Sequence, residues 1–200
     1  MHARVNTIFG PPAKVAAGVA RVEGTDRAAV EASRGNRGLM TLMDSAGGVI
    51  VAVSYWNDLI HSSAPSLTEV RERVAAAAEG DLVAESYEVA WQEPGPTPAW
   101  PGATVRIDRL QIEPTTAVTG RELLRTHVLQ ETRADQGFCG AELMIDRGHG
   151  VALLLTTWTS TEAASRMDAV VAQLRDVGTR AGITLRRTET FVLVRGCAQI

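Results

Sequence analysis

The stretch Asp44-Ser45-Ala46-Gly47-Gly48-Val49-Ile50-Val51-Ala52-Val53-Ser54-Tyr55-Trp56 decides the fold, because it occurs twice. The second version is Asp146-Arg147-Gly148-His149-Gly150-Val151-Ala152-Leu153-Leu154-Leu155-Thr156-Thr157-Trp158, 102 residues further on. Each reads as a glycine-rich turn feeding an apolar strand that ends on Trp. Leu39 to Asp44 precedes the first turn and Gly140 to Asp146 the second, so each stretch is the outgoing arm of a β-hairpin.

The same shift extends outward without gaps. It pairs Arg4 with Arg106, Pro12 with Pro114, Gly18 with Gly120, Gly35 with Gly137 and Gly38 with Gly140. Gly, Pro and Trp are rarely matched by composition alone, and a fixed period of this kind is read as an internal repeat. The shift falls to 100 beyond Trp56, where Leu67, Val70 and Val74 match Met167, Val170 and Leu174. It rises to 104 at Tyr87 and Phe191.

Working outward, Arg4 to Phe9 is β-rich and is stopped by Pro11-Pro12. Ala13 to about Ser33 carries Val15, Val19 and Val22 at helical spacing, with a break expected at Gly24. A helix from Leu67 to about Glu79 is expected to be capped by Ser66 or Thr68, and Asp81 to Trp91 is a fourth strand. The second half repeats this order: strand 104–112, helix 115–135, hairpin 140–158, helix 159–180 capped by Ser160 or Thr161, and strand 184–195. Residues 93–102 are proline-rich, a linker composition. The expected organisation is therefore a first repeat over 1–92, a linker over 93–102 and a second repeat over 103–200. Each repeat is β-α-β-β-α-β, the ferredoxin-like unit of the α+β class.

Val49–Val53 and Val151–Leu155 are apolar without alternation, which predicts strands covered on both faces. Two helices cover one face of such a unit. The other face is expected to meet the sheet of the sibling repeat, giving antiparallel sheets packed face to face in an intramolecular α+β barrel.

Composition excludes several function classes. A net charge of −3 argues against nucleic acid or an anionic membrane surface as partner. No apolar run approaches the length of a membrane span, and the first residues lack a signal peptide's apolar core, so a cytoplasmic location is expected. Cys139 and Cys197 are too few for a disulfide framework, and no Cys/His cluster has metal-ligand spacing.

The hairpins and their sequels, Gly38-Leu39 with Val49–Trp56, and Gly137-Phe138 with Val151–Trp158 and Ser160-Thr161-Glu162-Ala163, resemble the dimeric α+β barrel superfamily. The likeness is to its antibiotic-biosynthesis-monooxygenase-like branch. Members usually pair two identical chains, so here a pseudo-dimer within one chain is implied, with a further homodimer open. The resemblance implies a small-molecule-binding protein, with cofactor-independent monooxygenase chemistry on quinol-like or polyphenolic aromatics as its enzymatic form. A non-catalytic binding or assembly module is the alternative. Haem-degrading members would need an imidazole. Asn6 and Trp56 match their pattern, but no His stands at the required place.

From this follow the candidate residues. Trp56 and Trp158 either line an aromatic pocket or fill the core at a strand end, and His61 follows the first of them. Asn6 and Asp108 stand at equivalent places on the first strands, where a polar group could orient a substrate or accept a phenolic proton. His127, in a helix, is a third catalytic candidate. No cofactor and no metal is expected.

Overall fold

The computed structural model describes residues 1–113 and 117–197. Its strands are β1 (His2–Phe9), β2 (Asn36–Asp44), β3 (Val49–Trp56), β4 (Asp81–Pro94), β5 (Thr104–Ile112), β6 (Phe138–Asp146), β7 (Val151–Trp158) and β8 (Ile183–Arg195). Its α-helices are α1 (Val15–Arg21), α2 (Arg27–Glu31), α3 (Leu59–Ser62), α4 (Pro65–Ala77), α5 (Ala117–Thr132), α6 (Thr161–Ser165) and α7 (Met167–Arg180). The fold is mixed α+β. The hydrogen-bonded strand order runs β1-β3-β2-β8 through the first part of the chain's pairing and β5-β7-β6-β4 through the second.

The chain forms two compact units. The first holds Met1–Tyr87 with Phe191–Ile200, and the second holds Glu88–Thr190. The unit boundaries fall inside β4 and β8. The last residues of β4 pair with β6 in the second unit, from Glu88↔Ile145 to Pro94↔Gly140, and the strand runs three residues past the Trp91 limit expected from sequence. The last residues of β8 pair with β2 in the first, including Leu42↔Leu193.

Within each unit the backbone follows one register. His2↔Trp56 through Phe9↔Val49 joins β1 to β3, and Thr104↔Trp158 through Gln111↔Val151 joins β5 to β7. A bulge interrupts the hairpin at Asn36/Gly38 in one unit and at Phe138/Gly140 in the other. The turn glycines have a physical reason. Gly48 has φ 74° and its missing Cβ would lie 2.1 Å from the Gly10 carbonyl oxygen. Gly150 has φ 65° and the same clash at 2.7 Å with the Ile112 oxygen. Only glycine satisfies both the left-handed backbone and that approach.

The non-alternating strands are buried nearly throughout, as their composition requires. In the first unit Ile8, Ile50 and Trp56 pack with Val15, Val22 and Val30 and with Leu67, Val70 and Val74 of α4. Val51, Val53 and Tyr55, on the opposite face of β3, are buried too. In the second unit Leu110, Leu154 and Trp158 pack with Leu124 and Val128 of α5 and with Met167 and Val170 of α7. Phe138 meets Trp158 edge-on at a centroid distance of 5.3 Å.

The helices follow the sequence expectation at Gly24 and depart from it in two places. The first helix breaks at Gly24, as expected, through a π-turn over Val22–Asp26 in which Gly24 leaves helical space at ψ −128°. α4 begins one residue before Ser66: Ala64 is its N-cap with no side-chain hydrogen bond, and Pro65 occupies the first turn. Proline's fixed φ and absent N–H suit that position, so neither Ser66 nor Thr68 is the cap. The 159–180 helix divides into α6 and α7, and Ser160 caps α6 by accepting from the Ala163 N–H at 3.1 Å. Thr115, in the expected start of α5, lies outside the described residues.

Candidate functional site

The first unit holds an apolar cavity of about 40 Å³. β1 supplies Asn6 and Ile8, and β3 supplies Ala52, Ser54 and Trp56. The π-turn brings Asp26, and α4 brings Leu67 and Arg71. The register puts these strand residues on one face. Residues directly opposite in an antiparallel pair project to the same side. Arg4↔Ser54, Asn6↔Ala52 and Ile8↔Ile50 are such pairs, so the side chain of Arg4 shares the cavity's face of the sheet.

The polar groups of this face are incompletely satisfied. Trp56 Nε1 donates to Ser54 Oγ at 2.9 Å, and Ser54 Oγ donates to the Arg4 carbonyl at 3.4 Å. Asn6 is 7% exposed; its Nδ2 donates to the Ala52 carbonyl at 3.4 Å, and its Oδ1 is buried without a partner. Arg4 Nη1 donates to Ser86 Oγ at 2.7 Å, while its Nε is buried and unpartnered. Arg71 Nη2 donates to the Ser62 carbonyl at 2.5 Å. Burial, and then the neighbouring charge of Arg4, push the Arg71 guanidinium down to about 10. Among the described residues no carboxylate pairs with Arg4 or Arg71. Asp26, the carboxylate lining the cavity, is engaged elsewhere, by Arg21 at 2.6 Å and Arg73 at 2.9 Å.

The corresponding face of the second unit is arranged differently. Its cavity is about 20 Å³ and is lined by Asp108, Leu110, Leu124 and Leu154 with Val171 and Arg175 of α7. Asp108, wholly buried, takes the place of Asn6 and accepts from Arg106 Nε at 2.9 Å and from Thr188 Oγ1 at 2.6 Å. Arg106 reaches a second carboxylate, Asp168, at 2.5 Å. Burial works against the Arg106 charge, but hydrogen bonds to Asp108 and Asp168 outweigh it and hold its pKa above the ordinary value. Val171 stands where the repeat places Arg71, by the shift of 100. Trp158 Nε1 and Thr156 Oγ1 are buried without partners.

The structure thus brings Asn6 and Trp56 together in one cavity and sets Asp108 in a cavity of its own. His61 stands outside the lining: its Nδ1 lies 2.8 Å from Asp58 Oδ1, and the same carboxylate accepts the His61 backbone N–H as the N-cap of α3. That backbone bond leads the causes that hold Asp58 below the usual carboxylate range. His127 is half-buried on α5 with Nε2 unpartnered, and it lines neither cavity. Cys139 is buried, which pushes its thiol up and disfavours a nucleophilic thiolate. Among the described residues no three His, Cys, Asp or Glu side chains group as a metal site, and no helix is long and apolar enough to cross a membrane. Sequence reasoning misses Arg4, Arg71 and Ser54 as site residues. Arg71 is four residues after Leu67 and so shares its helix face, which was the available signal.

Two curated relatives extend this comparison. The uncharacterized protein Rv2558 of Mycobacterium tuberculosis is 30% identical over 178 residues, covering 88% of this chain and 75% of its own. The chain belongs to the family of Rv2558. A second member from the same organism, Rv2557, is 29% identical over 168 residues, covering 83% of this chain and 75% of its own. No family model matches the sequence. Among solved structures, a Fusobacterium nucleatum protein provisionally named a monooxygenase superposes with a TM-score of 0.72 at 12% identity, over 97% of this chain and 92% of its own. An anthrone oxidase-like protein gives 0.65 at 11% identity, over 100% and 94%. A Listeria monocytogenes ferredoxin-fold protein related to antibiotic biosynthesis monooxygenases gives 0.54 at 9%, over 98% and 96%. At these identities the likeness is one of fold. The Rv2558 family member described here shares its fold with these proteins, a ferredoxin-like fold.

Proposed function

We propose that the protein binds a small, mostly apolar molecule in the cavity of its first unit. We further propose that residues 1–92 and 103–200 are duplicated halves joined by 93–102, of which the second has lost the ligand. The observation that carries this reading is the buried, unpartnered Asn6 Oδ1 in an apolar cavity lined by Trp56. A buried polar atom left unsatisfied costs about 1–3 kcal/mol. A ligand O–H or N–H donor at Asn6 would remove that cost while the rest of the molecule packs on Trp56. Phenols have this chemistry. An engineered cavity that admits benzene is about 150 Å³, so an aromatic ring would require this cavity of about 40 Å³ to open. Asn6→Leu tests the reading by calorimetric titration with phenol. The wild type should bind and the variant should not, while the unliganded variant gains about 1 kcal/mol of stability through loss of the orphan acceptor. Equal binding by both proteins would overturn the assignment to this cavity.

The second reading, cofactor-independent oxygenation of a quinol-like aromatic, is favoured by the names carried by the structural neighbours. In it Asn6 and Trp56 orient the substrate and the cavity keeps water out. Oxygen uptake with a panel of quinols, abolished in Asn6→Leu, supports it. The absence of any such uptake leaves the protein a binder.

A further inference from the structure

We propose that the ligand of this cavity is an anion, an organic carboxylate whose charged end is held by Arg4 and Arg71 and whose apolar body enters between Trp56 and α4. The inference rests on the binding reading above and names its ligand class. It comes from the comparison of the two units. In each, an arginine projects from the first strand onto the cavity's face, two residues before a polar side chain. In the second unit that side chain is Asp108, and Arg106 is neutralised from within by Asp108 and Asp168. In the first unit the carboxylate is replaced by Asn6, and the residue standing where Val171 stands is a second cation, Arg71.

Two guanidinium groups therefore share one face, and the carboxylate that lines the cavity, Asp26, is engaged by Arg21 and Arg73 instead. Arg4 keeps a buried, unpartnered Nε, and Arg71 keeps only a backbone carbonyl. Like charges brought together away from water repel, and an anion placed against both removes the repulsion and supplies charge-assisted hydrogen bonds. A guanidinium fork matches a carboxylate in geometry. The apolar lining, with Ile8, Leu67 and Val74, suits the apolar body of an organic anion and gives a purely inorganic ion nothing to bond to. Asn6 Oδ1 adds an acceptor for a hydroxyl on the ligand body, so hydroxylated acids complete the set.

Isothermal titration of the full chain with butyrate and benzoate, against butyramide and benzamide, tests this. The acids should bind at least tenfold more tightly than the matched amides. Arg71→Gln should remove that preference, bringing acid affinity to within about twofold of amide affinity. Asn6→Asp, which rebuilds the second unit's internal counter-ion, should weaken acid binding at least tenfold in a protein that keeps its fold. Acids and amides binding alike would overturn the anion assignment and leave the small-molecule reading standing. Neither binding would overturn both. Inorganic phosphate competing as well as benzoate would overturn the assignment of an organic acid.

Discussion

Arg4 and Arg106 occupy the same place in two units built on the same hairpin register, yet their charges are balanced in opposite ways. Arg106 lies in a closed set with Asp108, Asp168 and Thr188. Arg4 has Ser86 and an unsatisfied Nε, with Arg71 as its charged neighbour. A strand position can thus keep its residue type and backbone while its role changes. The second unit fills its face with its own counter-ion, and the first leaves that place for something else. Two carboxylates separate them: Asp108 and Asp168 stand where the first unit has Asn6 and Thr68.

The comparison breaks most visibly at Asp108. Asp108→Asn leaves Arg106 buried beside a neutral amide, and removing one partner of a buried pair costs about 3–5 kcal/mol. Asn6→Asp adds a carboxylate beside an arginine that lacks one and should cost no more than about 1 kcal/mol, since a new charged hydrogen bond offsets burial. Urea unfolding of both variants measures the asymmetry, and equal losses would remove the distinction between the units.

A smaller effect separates the tryptophans. Trp56 Nε1 donates to Ser54, whereas Trp158 Nε1 has no partner. Both Phe variants lose ring volume from a buried site, but Trp56→Phe also loses a hydrogen bond. It should therefore be less stable than Trp158→Phe by about 1 kcal/mol, read from the same unfolding curves.

The smallest effect is in pH. Burial and Arg4 lower the pKa of Arg71 in the folded protein to about 10, so its charged form is penalised by folding. For a cation with a depressed folded pKa that penalty is complete below about 10 and is relieved as pH rises past it. Benzoate affinity should run the other way, level from about pH 6 to 9 and falling as pH rises through about 10, because the ligand needs the charge. Arg71→Gln should lose this dependence.

Much of the fold was legible because it rests on local chemistry. The turn glycines, the Trp at each strand end and the unbroken apolar runs fixed the hairpins and their burial. Gly24 announced the break in the first helix. The end of β4 was not legible: Glu93 and Pro94 read as linker because their partners on β6 lie far away in sequence. The start of α4 was missed because two hydroxyl residues suggested a cap while Pro65 alone suffices. For the site, Asn6 and Trp56 stood out as a polar and an aromatic residue among aliphatic neighbours. Arg71 did not, because a charge on an amphipathic helix ordinarily faces water, and only tertiary packing turns this one toward the cavity. The difference between Asn6 and Asp108 was visible in the repeat, but its meaning depends on Asp168 and Thr188, which sequence alone does not bring near.

The most direct test follows the two indole N–H protons by nuclear magnetic resonance as benzoate is added to the full chain, with Trp56→Phe and Trp158→Phe assigning the signals. The account predicts that the Trp56 resonance shifts in a saturable way and the Trp158 resonance stays in place. A shift at Trp158, or saturation without any change at Trp56, would contradict it.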